Sequence, residues 1–338
     1  MARKGGWRRE GWPGRFRYYD ARGNRIRDEA KLARIESLVI PPAWKDVWIS
    51  PRSTAKLQAT GVDKAGRRQY LYHADFRAQQ EEAKFGRLIR FAEGLPDLRA
   101  AMAEHMDRDS LDRERVSAVA TRLINRAWFR VGTERYAKES RTFGITTLAK
   151  RHVSVRGNRI AFLFRTKHKA LVRTTLVDTE LANAMGELLE LRGGRRLFRF
   201  EQGGELYNLT GQRLNEYVRS YLGDEFTAKD FRTWGGTLTA AIAFAERGPV
   251  ETATEQKRVI AAVMRRVGEE LGNTPSVARS SYVSPAVIDQ YLEGRTIEDF
   301  RPRHLRVVGA RDMGLDLEEQ ALLSLLRSWK IRQARAAA

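Results

Sequence analysis

The hydrophobic residues of the chain change their spacing near residue 75, and this change limits the possible folds more than any other feature. Before it, short runs of β-type residues alternate with turn residues, as they do in small sheets. After it, apolar residues recur at helical spacing over long segments. The 338 residues are enough for about two domains. We therefore predict an α+β protein with a small N-terminal antiparallel β-sheet domain over residues 17–77 and a larger, mainly α-helical domain over residues 82–338.

The smaller domain carries signals for short strands and one helix. Runs rich in aromatic and β-branched residues predict strands at residues 17–19, 47–50 and 69–72. Apolar residues on one face predict a helix over residues 28–38. Residues 1–16 are basic and rich in glycine, so we predict that they form a flexible arm.

The larger domain combines helices with one small sheet. Three β-type runs separated by turn residues predict a three-stranded antiparallel sheet over residues 146–155, 159–165 and 170–176. Helical spacing predicts helices at residues 78–94, 110–128, 178–191, 210–222, 228–245, 252–271, 285–291 and 317–334.

The charge of the chain indicates a polyanionic partner. Lys and Arg number 62 against 42 Asp and Glu, which gives a net charge of +20. Nucleic acid fits this surplus better than an anionic membrane, and no run approaches the roughly 18 apolar residues of a membrane span. Cysteine is absent, which excludes disulfides and thiolate chemistry. Since the first residues lack an apolar signal core, we expect a cytoplasmic protein associated with the nucleoid.

The sequence lacks the common signals for nucleotide and metal sites. It has no Gly-x4-Gly-Lys-Ser/Thr loop for phosphates. Its five histidines are scattered, without metal-ligand spacing. Asp107 and Asp109 precede a predicted helix, where acidic residues cap the N-terminus, and this favours capping over magnesium binding. We expect no cofactor and no metal, so an enzyme acting on DNA with this sequence would activate phosphate with cationic side chains.

Attack on a phosphodiester needs a nucleophile, cationic donors for the nonbridging oxygens and an acid for the leaving oxygen. Arginine suits the second task because its fork grips two phosphate oxygens and stays charged. Lysine suits the third because burial and neighbouring positive charge lower its pKa. Four segments carry such residues, and each alone also fits an ordinary surface or core position: 127–132 with Arg130, 164–167 with Lys167, 229–235 with Lys229 and Arg232, and 271–282 with Asn273 and Tyr282.

The order of these segments resembles the type IB DNA topoisomerases of the small, poxvirus-like bacterial class. The shared pattern is Arg130-x-Gly, a hairpin lysine at 167, Lys229-x-x-Arg232, and the run Gly-Asn-Thr-Pro at 272–275 before Tyr282. The runs Ile-Pro-Pro-Ala-Trp at 40–44 and Gly-Arg-Arg-Gln-Tyr-Leu-Tyr-His at 66–73 resemble the N-terminal signature of that family. The resemblance covers residues 17–325 and implies the fold shared by tyrosine recombinases and type IB topoisomerases, with the larger domain as the catalytic one.

The resemblance implies a role for each residue at the site. Tyr282 attacks phosphorus and forms a 3′-phosphotyrosyl bond, while Arg130 and Arg232 hold the nonbridging oxygens. Lys167 protonates the departing 5′-oxygen, with Lys169 as an alternative. Asn273 hydrogen-bonds a nonbridging oxygen; family members often carry His there, so we expect this position to need only a hydrogen-bond donor. Rotation of the free strand and religation then relax supercoils without ATP.

The resemblance also implies how the chain engages DNA. Gln69, Tyr70 and Tyr72 of the smaller domain and Tyr136 and Lys138 of the larger one are expected to contact duplex DNA. A monomer would close around the duplex as a clamp, which requires flexing near residues 75–82. The alternatives are a tyrosine recombinase or integrase, against which the N-terminal signature and Lys229 argue, and a basic DNA-binding protein without catalysis, which leaves the ordered residues unexplained.

Overall fold

The computed structural model describes residues 5–301 and 314–337. The chain divides into two compact units, Met1–Gly86 and Arg87–Ala338. The predicted α+β architecture is confirmed, with an antiparallel sheet in the first unit and a mainly helical second unit that contains a three-stranded sheet. One long helix, α2 (Ala74–Met106), runs through residues 75–82, where we predicted the domain boundary. The division between the units falls inside this helix, after Gly86.

The first unit is a five-stranded antiparallel sheet with one helix on it. The strand order is β2-β1-β3-β4-β5. The strands are β1 (Trp7–Glu10), β2 (Arg17–Tyr19), β3 (Lys45–Ile49), β4 (Leu57–Val62) and β5 (Arg68–Tyr72). Helix α1 (Glu29–Ser37) begins after Asp28, whose carboxylate accepts a hydrogen bond from the Lys31 amide at 2.9 Å. Its Ile35 packs into the core on one face of the sheet.

The N-terminal residues differ from the flexible arm that we predicted over 1–16. Residues 1–4 lie outside the described part of the chain, but residues 7–10 form strand β1 inside the sheet. Trp7 is 8% exposed and packs in the core opposite Ile49. The prediction failed because a four-residue strand between glycines has a weak local signal, and one of its two partner strands, β3, lies some forty positions away in sequence.

The second unit is built around a buried helix, α7. The helices of this unit after α2 are α3 (Arg113–Ala127), α4 (Glu134–Glu139), α5 (Thr179–Glu190), α6 (Gly211–Leu222), α7 (Asp230–Arg247), α8 (Ala253–Leu271), α9 (Pro275–Ser281), α10 (Pro285–Leu292) and α11 (Leu317–Ala337). Every residue of α7 from Phe231 to Ala241 is buried. A helix that is covered on all sides holds the side chains on it in fixed positions.

The three-stranded sheet has the order β6-β7-β8, as predicted. Its strands are β6 (Val153–Arg156), β7 (Arg159–Arg165) and β8 (Leu171–Val177). Residues 146–152, which we assigned to the first strand, lie instead in two short 3₁₀ turns. The Thr146 amide and hydroxyl both bond the Val131 carbonyl, and this tertiary contact replaces strand pairing. A further hairpin, β9 (Arg199–Gln202) and β10 (Glu205–Asn208), was not predicted.

Within the part of the chain that the structure describes, no helix has the length and apolar character needed to cross a membrane.

Candidate active site

Arg130 lies just beyond the end of α3, and its backbone is held by a distant segment. Helix α3 ends at Ala127, and the next residue, Trp128, adopts a left-handed conformation with φ of 51°. The Arg130 carbonyl accepts a hydrogen bond from the Ile145 amide at 2.8 Å. Gly132 and Gly144 make this approach possible, because a Cβ on Gly144 would lie 2.5 Å from the Gly132 nitrogen. The Arg130-x-Gly pattern therefore has a steric reason.

The C-terminal end of α8 attracts two guanidinium groups. Arg130 donates to the Gly272 carbonyl at 3.2 Å and the Leu271 carbonyl at 3.5 Å. Arg232 of α7 donates to the same Leu271 carbonyl at 2.7 Å, and also to the Trp128 carbonyl. The last carbonyls of a helix have no partners within it and carry partial negative charge. They offset the cost of holding two like charges side by side.

Tyr282 follows helix α9 and lies against Arg232. The guanidinium carbon of Arg232 is 5.0 Å from the centre of the Tyr282 ring. Arg232 is only 5% exposed, and Tyr282 is half-buried. The predicted nucleophile and a buried cationic group therefore lie together at this site.

Helix α7 also fixes the backbone of Tyr282. A Cβ on Gly236 would lie 2.9 Å from the Tyr282 carbonyl oxygen, so only glycine allows this approach. The Thr237 hydroxyl is within 3.2 Å of the same oxygen and accepts a hydrogen bond from the Ser284 amide at 3.1 Å. On the adjacent position, a Cβ on Gly235 would collide with the Trp128 indole. Sequence reasoning missed these positions, although two adjacent glycines inside a helical pattern are a signal of close packing.

The electrostatics of the cluster lower the pKa of Tyr282 below its ordinary value. Burial, followed by the charge of Arg232, lowers the pKa of Arg130 to about 10, and Tyr282 acts in the opposite direction. Burial likewise lowers the pKa of Arg232, which Tyr282 partly offsets. Burial alone would raise the pKa of Tyr282, but the charge and hydrogen bond of Arg232 and the charges of Arg130 and Lys229 together outweigh it.

Asn273 connects the end of α8 to Arg130. Its side-chain oxygen accepts a hydrogen bond from Arg130, and its backbone amide donates to the Gly268 carbonyl at 2.7 Å. Its side-chain nitrogen is buried and has no partner among the described residues. Both N–H donors of this amide group therefore remain without a protein partner in the described part of the chain.

Lys167 occupies the turn between β7 and β8, and it differs from the other predicted residues. It is exposed, and its ammonium makes no hydrogen bond or ion pair with the described residues. The turn itself is held by the Thr166 amide bonded to the Ala170 carbonyl at 2.8 Å. Lys169 adopts a left-handed conformation with φ of 59°. A cavity of about 220 Å³ beside the turn is lined by Thr166, Arg130 and Arg232 among others, but not by Lys167.

Tyr291, a second tyrosine shortly after Tyr282 in the sequence, does not reach this site. It is 1% exposed, stacks on Phe244 with ring centres 4.4 Å apart, and donates its hydroxyl proton to the Gly248 carbonyl. The structure thus brings together four of the five predicted catalytic residues, Arg130, Arg232, Asn273 and Tyr282, and leaves Lys167 exposed on its hairpin.

The predicted DNA contacts of the second unit lie on helix α4. Tyr136 and Lys138 are both exposed, at 37% for the tyrosine. The helix begins at Thr133, whose hydroxyl accepts from the Tyr136 amide.

The predicted contacts of the first unit lie on β5. Tyr70 and Tyr72 are half-exposed and stack on each other with ring centres 6.3 Å apart. The Gln69 amide nitrogen donates to Asp63 in the preceding turn at 2.8 Å. The two tyrosines point away from the core, since Leu71 between them packs against it.

Tyr70 belongs to a row of side chains that crosses the face of the sheet opposite the core. Strand pairing sets Tyr70 beside Thr60, Thr60 beside Trp48, Trp48 beside Arg8, and Arg8 beside Tyr19. Residues directly opposite each other in paired strands lie on the same face. Sequence analysis missed the Arg8 end of this row because it assigned β1 to a flexible arm.

Comparison with known proteins identifies relatives of both units. The family model of the eukaryotic DNA topoisomerase I catalytic core matches residues 73–299. The model of the bacterial DNA topoisomerase IB N-terminal domain matches residues 15–63.

Three viral proteins are similar over most of their length. The DNA topoisomerase 1B of Acanthamoeba polyphaga mimivirus is 30% identical over 285 residues, which cover 82% of this chain and 84% of the viral protein. The DNA topoisomerase I of monkeypox virus is 25% identical over 237 residues, covering 69% of this chain and 72% of that protein. The DNA topoisomerase 1B of vaccinia virus (strain Copenhagen) is 24% identical over the same shares. Because the family matches span most of the chain and include both of its units, the chain belongs to the type IB DNA topoisomerases.

Proposed function

We propose that this chain relaxes supercoiled duplex DNA by cutting one strand with Tyr282 and resealing it, without metal or ATP. The observation that carries this proposal is the buried cluster at the end of α8, where two guanidinium groups meet a tyrosine. Cationic donors fixed at the position where charge develops are the main source of catalysis in phosphate transfer.

The proposed cleavage is one in-line displacement. The Tyr282 oxygen attacks phosphorus, the bond from phosphorus to the 5′-oxygen breaks, and a 3′-phosphotyrosyl bond forms. Arg130 and Arg232 hold the nonbridging oxygens as their charge grows. The lowered pKa of Tyr282 supports attack by its phenolate. The covalent bond replaces the one that is broken, so the free 5′-hydroxyl reverses the step after the strand has rotated.

The departing 5′-oxygen needs a proton, and we assign its donation to Lys167, with Lys169 as the alternative on the same turn. The unpartnered ammonium of Lys167 is free to approach the scissile bond when DNA occupies the site. Asn273 donates its free side-chain N–H to a nonbridging oxygen. This supports a role as donor rather than as acid or base, since an amide does not titrate.

We further propose that one chain, acting as a monomer, encloses duplex DNA as a clamp in the nucleoid. Each unit has its own candidates for DNA contact: the exposed Tyr70 and Tyr72 with the part-buried Gln69 in the first, and the exposed Tyr136 and Lys138 in the second. The net charge of +20 predicts that binding weakens steeply with salt. The aromatic and basic row through Arg8 and Trp48 extends the proposed contact surface across the first sheet.

The test is relaxation of a supercoiled plasmid with EDTA present and ATP absent. Wild type should relax the plasmid, and Tyr282→Phe should bind DNA but neither relax it nor form a covalent adduct. Tyr291→Phe is the matched control, because it removes only the hydrogen bond to Gly248 and costs about 1 kcal/mol of stability. Loss of the adduct in Tyr291→Phe, with an intact adduct in Tyr282→Phe, would show that the nucleophile is misassigned. No relaxation by wild type would refute the function.

A further inference from the structure

Glu319 on the C-terminal helix α11 is a buried carboxylate with a complete set of partners. It is 4% exposed. It accepts two hydrogen bonds from Arg99 at 2.7 and 2.8 Å, and one from the Trp234 indole at 3.0 Å. The Asp316 amide provides a fourth at 3.2 Å. Burying a charged group costs free energy unless hydrogen bonds satisfy it. These four hydrogen bonds therefore fix the position of the Glu319 carboxylate.

Trp234 connects Glu319 to α7, the helix that carries Arg232. It lies on α7 two residues after Arg232 and is 2% exposed. Two positions along a helix are separated by about 200°, so the two side chains point to nearly opposite sides of α7. Arg232 faces Tyr282, and Trp234 faces Glu319 and the Phe91 ring of α2, 6.3 Å away.

The position of Trp234 affects the side of α7 that carries Arg232. Gly235, next to Trp234, packs directly against Trp128. The Trp128 carbonyl in turn accepts a hydrogen bond from Arg232. A cavity of about 540 Å³ borders Trp128, Trp234 and Glu319. An indole released from Glu319 therefore has space to move, and α7 loses one of its fixed points.

We propose that Glu319 is a positioning residue for Arg232: it fixes Trp234, and thereby sets the distance between the Arg232 guanidinium and the scissile phosphate. Helix α11 is then part of the catalytic apparatus, although it contributes no group that touches DNA phosphorus. This inference rests on the proposed role of Arg232.

The test compares variants in single-turnover cleavage of a suicide DNA substrate, with DNA affinity and thermal unfolding measured in parallel. Glu319→Ala should cleave about ten- to a hundredfold more slowly at unchanged DNA affinity, since a misplacement of about 1 Å costs up to that much. Trp234→Phe, which removes the indole N–H and keeps an aromatic ring, should show a smaller loss in the same direction. Glu246→Ala is the matched control, because Glu246 is an exposed carboxylate on α7 paired with Arg266, and it should cleave like wild type.

A double-mutant cycle separates positioning from a general loss of stability. If Glu319 acts through Arg232, adding Glu319→Ala to Arg232→Ala should slow cleavage little further. Equal effects of Glu319→Ala with and without Arg232 would overturn the proposal, as would wild-type rates in a folded Glu319→Ala. Should Glu319→Ala not fold, the same cycle with Trp234→Phe decides. A wild type that forms no covalent adduct would instead refute the proposed function itself.

Discussion

Two parts of the catalytic unit differ in how they hold their positively charged side chains. At the end of α8, Arg130 and Arg232 are held by helix carbonyls and by Asn273, and the pKa of each is lowered by burial. On the β7–β8 turn, Lys167 extends into solvent without a partner among the described residues. The cluster is assembled in the protein alone, whereas no hydrogen bond or ion pair with the described residues holds the lysine in place.

The difference agrees with the role that we propose for each group. Groups that stabilise charge work best when they are fixed beforehand in a site of low dielectric. A proton donor must instead reach one atom of the substrate, and an exposed turn lets it move there. We therefore expect the arginine cluster to be unchanged by DNA, and Lys167 to become ordered only when DNA is bound.

The largest effect should come from the turn. Lys167→Ala should lower the rate of strand cleavage by about 10²- to 10⁴-fold, the usual contribution of a general acid. A substrate with sulfur at the 5′-bridging position should restore the rate, because a thiolate, with a pKa of about 8.5, leaves without a proton. The measurement is single-turnover cleavage of both substrates.

Lys169→Ala on the same two substrates is the comparison that settles the open assignment. It should cleave the oxygen substrate with little loss if Lys167 is the acid. A large loss in Lys169→Ala that sulfur restores, with a mild effect of Lys167→Ala, would move the acid role to Lys169.

The buried cluster should respond differently. Arg232→Ala should slow cleavage by about 10²- to 10³-fold, as the loss of a fixed charge-stabilising donor does. Sulfur at the bridging position should not restore it, because the nonbridging oxygens keep their charge. Rates on both substrates and DNA affinity by titration check this. Restoration by sulfur would mean that Arg232 assists the leaving group, and the contrast between the two parts would fail.

A third prediction concerns the ionisation of Tyr282 in the protein without DNA. Positive charge favours the phenolate, so removing Arg232 should raise the pKa of Tyr282 from its lowered value. At a pH below the pKa, each rise of one pKa unit lowers the phenolate population about tenfold. The absorbance titration of tyrosinate, taken as the difference from Tyr282→Phe in each background, should shift to higher pH in Arg232→Ala. An unchanged midpoint would show that the cluster does not preorganise the nucleophile.

How much of this was predictable depends on the range of each interaction. Most helices were predicted within a few residues, because helical spacing is a local property. The resemblance to the type IB topoisomerases pointed to Arg130, Arg232 and Tyr282 before any geometry was known. What joins them is not local: Arg130 and Asn273 bond across 143 positions, and no spacing rule reveals that they share the end of one helix.

Some backbone conformations also could not be predicted from the sequence. Trp128 adopts a left-handed conformation that its residue type disfavours, and only the tertiary contacts of α7 explain it. The first strand was missed for a related reason, since Trp7 becomes a core residue only through its pairing with β3. From the sequence, the glycine pair of α7 only predicts a less stable helix. The structure shows that Trp128 and Tyr282 pack against these two glycines.

The smallest predicted effect tests whether the turn stores strain. Lys169 has φ of 59°, and a non-glycine residue there costs about 1–2 kcal/mol. Lys169→Gly should therefore raise the free energy of unfolding by up to about 1 kcal/mol, or the unfolding temperature by about 2–4 °C in a unit of this size. Lys167→Gly, outside the left-handed region, should lower it instead. Thermal unfolding of both variants without DNA distinguishes a strained turn from a relaxed one. A strained turn that adds no stability is typical of a functional site. Equal shifts in both variants would mean that the turn is relaxed and that strain gives no support for a function of its lysines.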